Sequence, residues 1–218
     1  MTSLSWKRPF DALAAAGLLV VFALLMLLIA AAVRLTMGRP IVFRQVRPGK
    51  DRRPFTLYKF RTMSDARDSS GELLCDGQRL TRLGRLLRQT SLDELPQLWN
   101  VLRGDMSLVG PRPLLMRYLP YYTDRESRRF AVLPGITGWQ QVHGRNLFGW
   151  EHRLELDVWY VEHMSPWLDL RILCSTVVAV FTRRGVVVDP RSTGGKDLDE
   201  ERRDQAEFRR PRAPSVAA

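Results

Sequence analysis

Residues Ala12 to Val33, ALAAAGLLVVFALLMLLIAAAV, form a run of 22 without a charge, proline, asparagine or glutamine. A bilayer core about 30 Å thick takes about 20 apolar residues in a helix, so the run is long enough to span one. A cleaved signal peptide would have an apolar core of about 7–15 residues ending at a small-residue site. Ala30-Ala31-Ala32 imitates such a site, but the run is too long for that reading. The expectation is a resident membrane segment.

Its flanks constrain the path. Lys7 and Arg8 precede the run, and Arg34, Arg39 and Arg44 follow it. The positive-inside rule pulls both ends to the cytoplasm, which a helix that enters and returns on one face satisfies and a straight one does not. The downstream excess is larger, so the body of the protein is expected in the cytoplasm on either path. From Arg34 to Arg61 nine Lys/Arg face one acid, Asp51, within a chain of 218 residues and net charge +11. That balance calls for an anionic partner: nucleic acid, anionic lipid or a phosphorylated small molecule. Cys75 and Cys174 have neither CxxC spacing nor a Cys/His cluster, so a reduced compartment without structural zinc is expected.

Downstream, Ile41–Val46 and Phe55–Phe60 read as short strands around the turn signal Arg-Pro-Gly-Lys, a basic hairpin for phosphates or simply for anionic lipid. Gln78–Gln89 has leucines at helical spacing, and Met116–Phe130 and Trp150–His163 also read as helices. Ser165-Pro166 starts a helix expected to run to about Arg183, either core or lying in the membrane interface. From Asp189 onward the sequence lacks periodicity, and a flexible charged tail is expected. The expected division is 1–38 membrane segment and flanks, 39–188 cytoplasmic domain, and 189–218 tail. The fold class is α+β, mainly α.

Asp93 and Glu94 stand side by side in SLDELPQLWNVLRGDMSLVGPRP, with Arg79, Arg82, Arg85 and Arg88 before them and Arg103 and Arg112 after. Ser91-Leu92-Asp93-Glu94 fits the S-x-x-E capping box, a purely structural explanation. Pro96 would then fall inside the helix and strain it. A helix starting at Leu95 or Pro96 accommodates the proline and leaves both acids on its approach, with Gly104 as the stop. Successive helical side chains diverge by about 100°, so the two acids would serve different groups rather than share a proton. One would be nucleophile or metal ligand and the other base or orienter. The arginines would hold both acids ionised and offer planar donors to phosphate oxygens. Walker A, GxGxxG, HExxH and GxSxG motifs are all absent from the sequence. A membrane anchor also argues against a DNA-searching protein, and no nucleic-acid partner is expected.

The motifs KRPFD, IVFRQVRPG, YKFRTM, GELL, SLDELPQLWNVLRGDMSLVGPRPLL, PGITGWQQVHGRN and ELDVWYV, in that order, resemble the monotopic phosphoglycosyl transferases, or bacterial sugar transferases. The small single-domain PglC-like branch is the nearest in organisation. The resemblance implies transfer of a phosphosugar from a UDP-sugar to polyprenol (undecaprenyl) phosphate, with UMP released, as the first step of glycoconjugate assembly. It implies a re-entrant membrane helix, a helical catalytic domain with interfacial helices, and residence on the cytoplasmic face of the bacterial inner membrane. It also implies a two-step reaction in which Asp93 attacks the sugar-bearing phosphate with Mg²⁺ bound near it. Glu94 would deprotonate or orient the acceptor, Arg112 would bind phosphate, and Lys59, Arg88 and Arg145 would be supporting cations. A homodimer is compatible with this reading.

One departure stands out. Where the family carries Ser-Pro in mid-segment, this chain has Ala23-Leu24. Re-entry would then depend on flanking charge and packing, or the helix would span. Two other functions fit parts of the sequence: a lipid-linked phosphatase or nucleotide-sugar hydrolase, and a non-enzymatic scaffold gripping anionic lipid.

Overall fold

The computed structural model describes residues 6–143, 149–182 and 196–203, together with 205 and 208. The apolar run is two helices, α1 (Lys7–Val21) and α2 (Ala23–Met37), bent by 63° where they meet. At the hinge Phe22 takes φ −93°, ψ 6°, outside the helical well and in the sparsely populated bridge region. The bend therefore forms without a proline. Among the described residues no single helix is long and apolar enough to cross a membrane, although the bent pair together has the length and composition to do so.

Both arms of this knee dock on the same body. On α1, the Lys7 ammonium pairs with Asp169, and Arg8 donates to the carbonyls of Val101 (2.6 Å) and Leu102 (2.8 Å). Asp11, 2% exposed, accepts from the Ser107 hydroxyl at 2.7 Å and the Leu108 N–H at 3.4 Å. On α2, Ile29 and Val33 pack with Phe60 and Leu87. Lys7 and Arg8 thus act as packing groups as well as flanking charges.

The hairpin forms as expected, with slightly longer strands: β1 (Val42–Pro48) pairs antiparallel with β2 (Pro54–Phe60), placing Lys59 opposite Phe43. The helix expected over Gln78–Gln89 is split into α3 (Asp76–Arg79) and α4 (Arg82–Gln89), because the Thr81 hydroxyl caps α4 by accepting from Gly84 N–H at 2.9 Å. Helix α5 (Gln97–Arg103) ends at Gly104, whose φ of +94° suits glycine. Asn100, fully buried on α5, accepts from Tyr58 N–H (3.2 Å) and donates to Thr56 O (2.7 Å), which locks α5 to β2.

A second sheet was not legible in the sequence: β3 (Ser107–Val109) runs parallel to β4 (Gly135–Thr137). Gly110 and Gly135 touch there, and a Cβ on Gly135 would come within 2.1 Å of the Gly110 nitrogen. This close approach brings the GPRP and PGITGW segments together. Met116–Phe130 is not one helix but two 3₁₀ turns, Met116–Tyr121 and Glu126–Ala131, because Pro120 removes a backbone donor.

Helices α6 (Trp139–His143), α7 (Trp150–Glu162) and α8 (Pro166–Thr182) complete the body. Ser165 caps α8 as read, its hydroxyl accepting from Leu168 N–H at 3.2 Å. The main core joins Ala15 of α1 to Leu57, Leu98, Val101, Met106, Leu108, Val109, Tyr160 and Ile172. Part of the expected flexible tail is ordered instead. Helix α9 (Leu198–Arg202) buries Leu198 completely, and Arg202 makes two 2.7 Å contacts to Glu126. Too short to show periodicity, α9 is held by a capping box between Asp197 and Glu200 and by that ion pair.

Candidate active site

The chain leaves α4 through Thr90 and turns sharply at Ser91, whose φ of +56° lies in the left-handed region. A non-glycine residue there carries strain of about 1–3 kcal/mol. A 3₁₀ turn, Leu92–Glu94, follows, and α5 begins after Pro96. The capping-box reading therefore fails at both ends. The Ser91 side chain caps nothing, and Glu94 reaches across the fold instead of back to Ser91. Both acids lie on the approach to α5, as Pro96 required.

One oxygen of Glu94 accepts from Lys59 Nζ at 2.6 Å and from Arg112 Nη2 at 2.8 Å. Lys59 arrives on β2, which Asn100 clamps to α5. Arg112 arrives on the turn after β3, where its carbonyl accepts from Arg129 Nη2 at 2.6 Å. Arg129 is held in turn by Asp157 of α7 at 2.7 Å, and both are buried. The GPRP turn thus rests on an internal ion pair. Arg88 stands beside the acids on α4, its Nε donating to Thr62 Oγ1 at 3.1 Å. Four of the expected residues, Lys59, Asp93, Glu94 and Arg112, meet at one place with Arg88 adjacent. Arg145 lies outside the described residues.

The two carboxyl groups sit in different fields. Burial pushes Asp93 up to about 6, and the Glu94 charge adds to it, while Lys59, Arg112 and Arg88 pull the other way. Burial also opposes ionisation of Glu94, but Arg112 and Lys59 outweigh it and hold the group well below the usual carboxylate range. The expectation is that the arginines hold both acids ionised; they do so firmly at Glu94, whereas at Asp93 desolvation outweighs them and raises the group. Among the described residues no group of three or more His, Cys, Asp or Glu is placed to hold a metal ion.

Sequence reasoning missed Asn100, the Arg129–Asp157 pair and Asp11 as supports. A charged or amide side chain on the apolar face of a helix is the signal each one gives, and Asp157 within ELDVWYV was the most readable.

A strained turn thus presents a desolvated acid beside a cation-clamped one. Residues 2–183 match the bacterial sugar transferase family, to which the chain belongs. It is 56% identical over 197 residues to an uncharacterized sugar transferase, EpsL, of Bacillus subtilis (strain 168), covering 88% of this chain and 98% of that one. It is 43% identical over 188 residues to the UDP-glucose:undecaprenyl-phosphate glucose-1-phosphate transferase of Caulobacter vibrioides, covering 81% of this chain and 70% of the relative. With an N-acetylgalactosaminephosphotransferase of Aeromonas hydrophila, which acts on UDP-N-acetylgalactosamine and undecaprenyl phosphate by its name, it shares 40% identity over 82% of this chain and 44% of that protein.

Proposed function

We propose that this protein transfers a sugar 1-phosphate from a UDP-sugar to polyprenol phosphate, releasing UMP. The observation that carries the reading is the division between Asp93 and Glu94 in a member of this family. In the first step an Asp93 oxygen attacks the sugar-bearing phosphorus, and the bond to the bridging oxygen breaks with its electron pair leaving on UMP. In the second, an oxygen of polyprenol phosphate attacks the same phosphorus and Asp93 departs as carboxylate. With a pKa near 6, Asp93 is largely ionised at neutral pH yet poorly solvated, which favours nucleophilic attack.

Glu94, held far into its ionised range by two cations, is a poor proton acceptor. We assign it the organising role: it fixes Lys59 and Arg112 where phosphate oxygens are to be bound. Mg²⁺ fits this donor set only in company with substrate, since it is commonly bound by one or two carboxylates plus substrate phosphates. Asp93 with the donor diphosphate would hold it. When bound, the ion neutralises charge on the phosphoryl oxygens.

The bent α1–α2 pair supports membrane re-entry. Leu13, Val20, Val21, Leu24, Leu27 and Leu28 around the knee are each 60–78% exposed, an apolar surface fit for lipid. Both feet of the knee rest on one domain, whereas a spanning helix would place them on opposite faces of the bilayer. Trp167, Leu170, Val177 and Val178 are exposed on α8, as an interfacial helix requires. We place the catalytic domain, residues 39–188, on the cytoplasmic face of a bacterial inner membrane.

A UMP-release assay with a panel of UDP-sugars, Mg²⁺ and undecaprenyl phosphate tests the reading. Asp93→Asn should lose at least about a thousandfold in rate. Full turnover by that variant would remove Asp93 from the mechanism.

A further inference from the structure

Two arginines beside the GPRP turn hold charges that are incompletely neutralised among the described residues: Asp157 acts on Arg153 only from beyond ion-pairing distance, and no carboxylate pairs with Arg47. Arg47, on β1, donates from Nη2 to Gln45 Oε1 at 2.7 Å and from Nη1 to the Pro113 carbonyl at 3.4 Å. Arg153, on α7, stacks over the Trp150 ring at 4.1 Å, and Trp150 in turn meets the buried Tyr118 ring edge-on at 5.5 Å. The Nε–H of both arginines is buried without a hydrogen-bond partner. Neither guanidinium has a carboxylate within ion-pairing distance among the described residues, in contrast to Arg112, Arg125, Arg129 and Arg202. Burial lowers the pKa of both, Arg47 to about 10, and the Arg112 charge opposes each of them. Arg112 is therefore the common neighbour. Desolvating two like charges around a third is unfavourable unless an anion joins them.

We propose that Arg47 and Arg153 form a second phosphate subsite beside Arg112, which takes the nucleotide-side phosphate of the donor and the UMP that leaves. This rests on the transferase reading and extends it. The phosphorus attacked by Asp93 must lie at the Glu94 end of Arg112. The leaving phosphate, one bridging oxygen away, gains negative charge as the bond breaks and needs donors of its own. Planar guanidinium groups with unused N–H donors suit it.

Position favours the soluble donor over the lipid acceptor. The strand end nearest α2 is Val42, paired with Phe60. Arg47 lies five residues further on, about 16 Å along the strand. Lys59 and Glu94 occupy the end where Ile29 and Val33 of α2 pack on Phe60, and Arg47 the end away from it.

The test uses the full-length protein in nanodiscs, with Arg47→Gln and Arg153→Gln variants and with UMP and uridine as probes. Each variant should raise the Kd for UMP and the KM for the UDP-sugar by about tenfold. Uridine binding and the KM for undecaprenyl phosphate should stay within about twofold. Because an unpaired buried charge is removed, the ligand-free Tm should hold or rise, while the Tm gain on adding UMP shrinks. Arg→Lys versions, which keep the charge, should recover part of the affinity and guard against misfolding of the Gln forms. Unchanged UMP affinity overturns the subsite, as does a rise in KM confined to undecaprenyl phosphate or a parallel loss of uridine binding and Tm. If the wild-type protein releases no UMP from any UDP-sugar, the transferase reading fails; if it does release UMP and UMP affinity ignores both substitutions, only the subsite fails.

Discussion

Asp93 and Glu94 are adjacent in the chain, yet the fold drives their carboxyl groups apart in acidity: burial raises the first to about 6, and Arg112 with Lys59 holds the second well below the carboxylate range. One main-chain step therefore separates a carboxyl group raised by burial from one clamped in its ionised form. The pair titrates as a coupled unit, so the higher apparent ionisation belongs mostly to Asp93.

The rate of the first half-reaction, read as a UMP burst without acceptor lipid, should rise between about pH 5 and 7 with an apparent pKa near 6. Glu94→Gln removes the charge that raises Asp93 and frees Lys59 and Arg112 to lower it. The acid limb should then move to lower pH even though the maximal rate falls. The stability signs are opposite for the two acids. Asp93, raised above its unfolded value of about 3.9, loses its contribution as pH rises through 6, whereas Glu94 contributes above about pH 4.3 and loses it on acidification. A limb that stays in place in Glu94→Gln would mean that Asp93 is not the titrating group.

Asp157→Asn should cost about 3–5 kcal/mol of stability, since it leaves Arg129 buried without its counter-charge. Denaturant unfolding measures this. Arg112 should be affected too, because Arg129 holds its carbonyl at 2.6 Å. The KM for the UDP-sugar should therefore rise in the protein that remains folded. A loss below about 1 kcal/mol would show that the pair is not a support of the GPRP turn.

The elements with strong local signals were legible: the apolar run, the hairpin around Arg-Pro-Gly-Lys, α7, and the start of α8 at Ser165-Pro166. So was the placement of Asp93 and Glu94 ahead of α5, because Pro96 excludes a helix that begins at Ser91. The misses were non-local. Ser107–Val109 pairs with Gly135–Thr137 across 25 intervening residues, and strands of three residues carry no usable period. The 63° bend at Phe22 has no proline to announce it and follows from two helices docking on one body. Lys59 meeting Glu94, and desolvation outweighing the arginines at Asp93, depend on burial that no spacing reveals.

Removing the chain from residue 196 onward should destabilise the catalytic domain even though the tail read as flexible. It would uncover the surface under Leu198 and leave Glu126, 7% exposed, without Arg202. A single substitution, Arg202→Met, should cost about 3–5 kcal/mol for the same reason. Equal denaturation midpoints for full-length and truncated protein would show that α9 contributes nothing to the domain.

The path of the apolar knee is open to a labelling test. Cys75 and Cys174 are both exposed, so they are first replaced by serine. Single cysteines are then placed at Thr2, Ser3 and, on the far arm, Thr36. Re-entry puts all three on the cytoplasmic side, so a membrane-impermeant maleimide should leave them unlabelled in intact spheroplasts and label them after permeabilisation. Asp11→Ala adds a second arm to the experiment. It removes the acceptor that ties α1 to Ser107 and Leu108, a loss of about 1.5–3 kcal/mol for bonds to a charged group. If docking rather than a proline holds the knee bent, external labelling at Ser3 should appear in Asp11→Ala while Thr36 stays protected. Labelling of Ser3 from outside in the otherwise native chain would instead show a spanning helix, with Lys7 and Arg8 too far from Asp169 and Val101 to make the contacts described above.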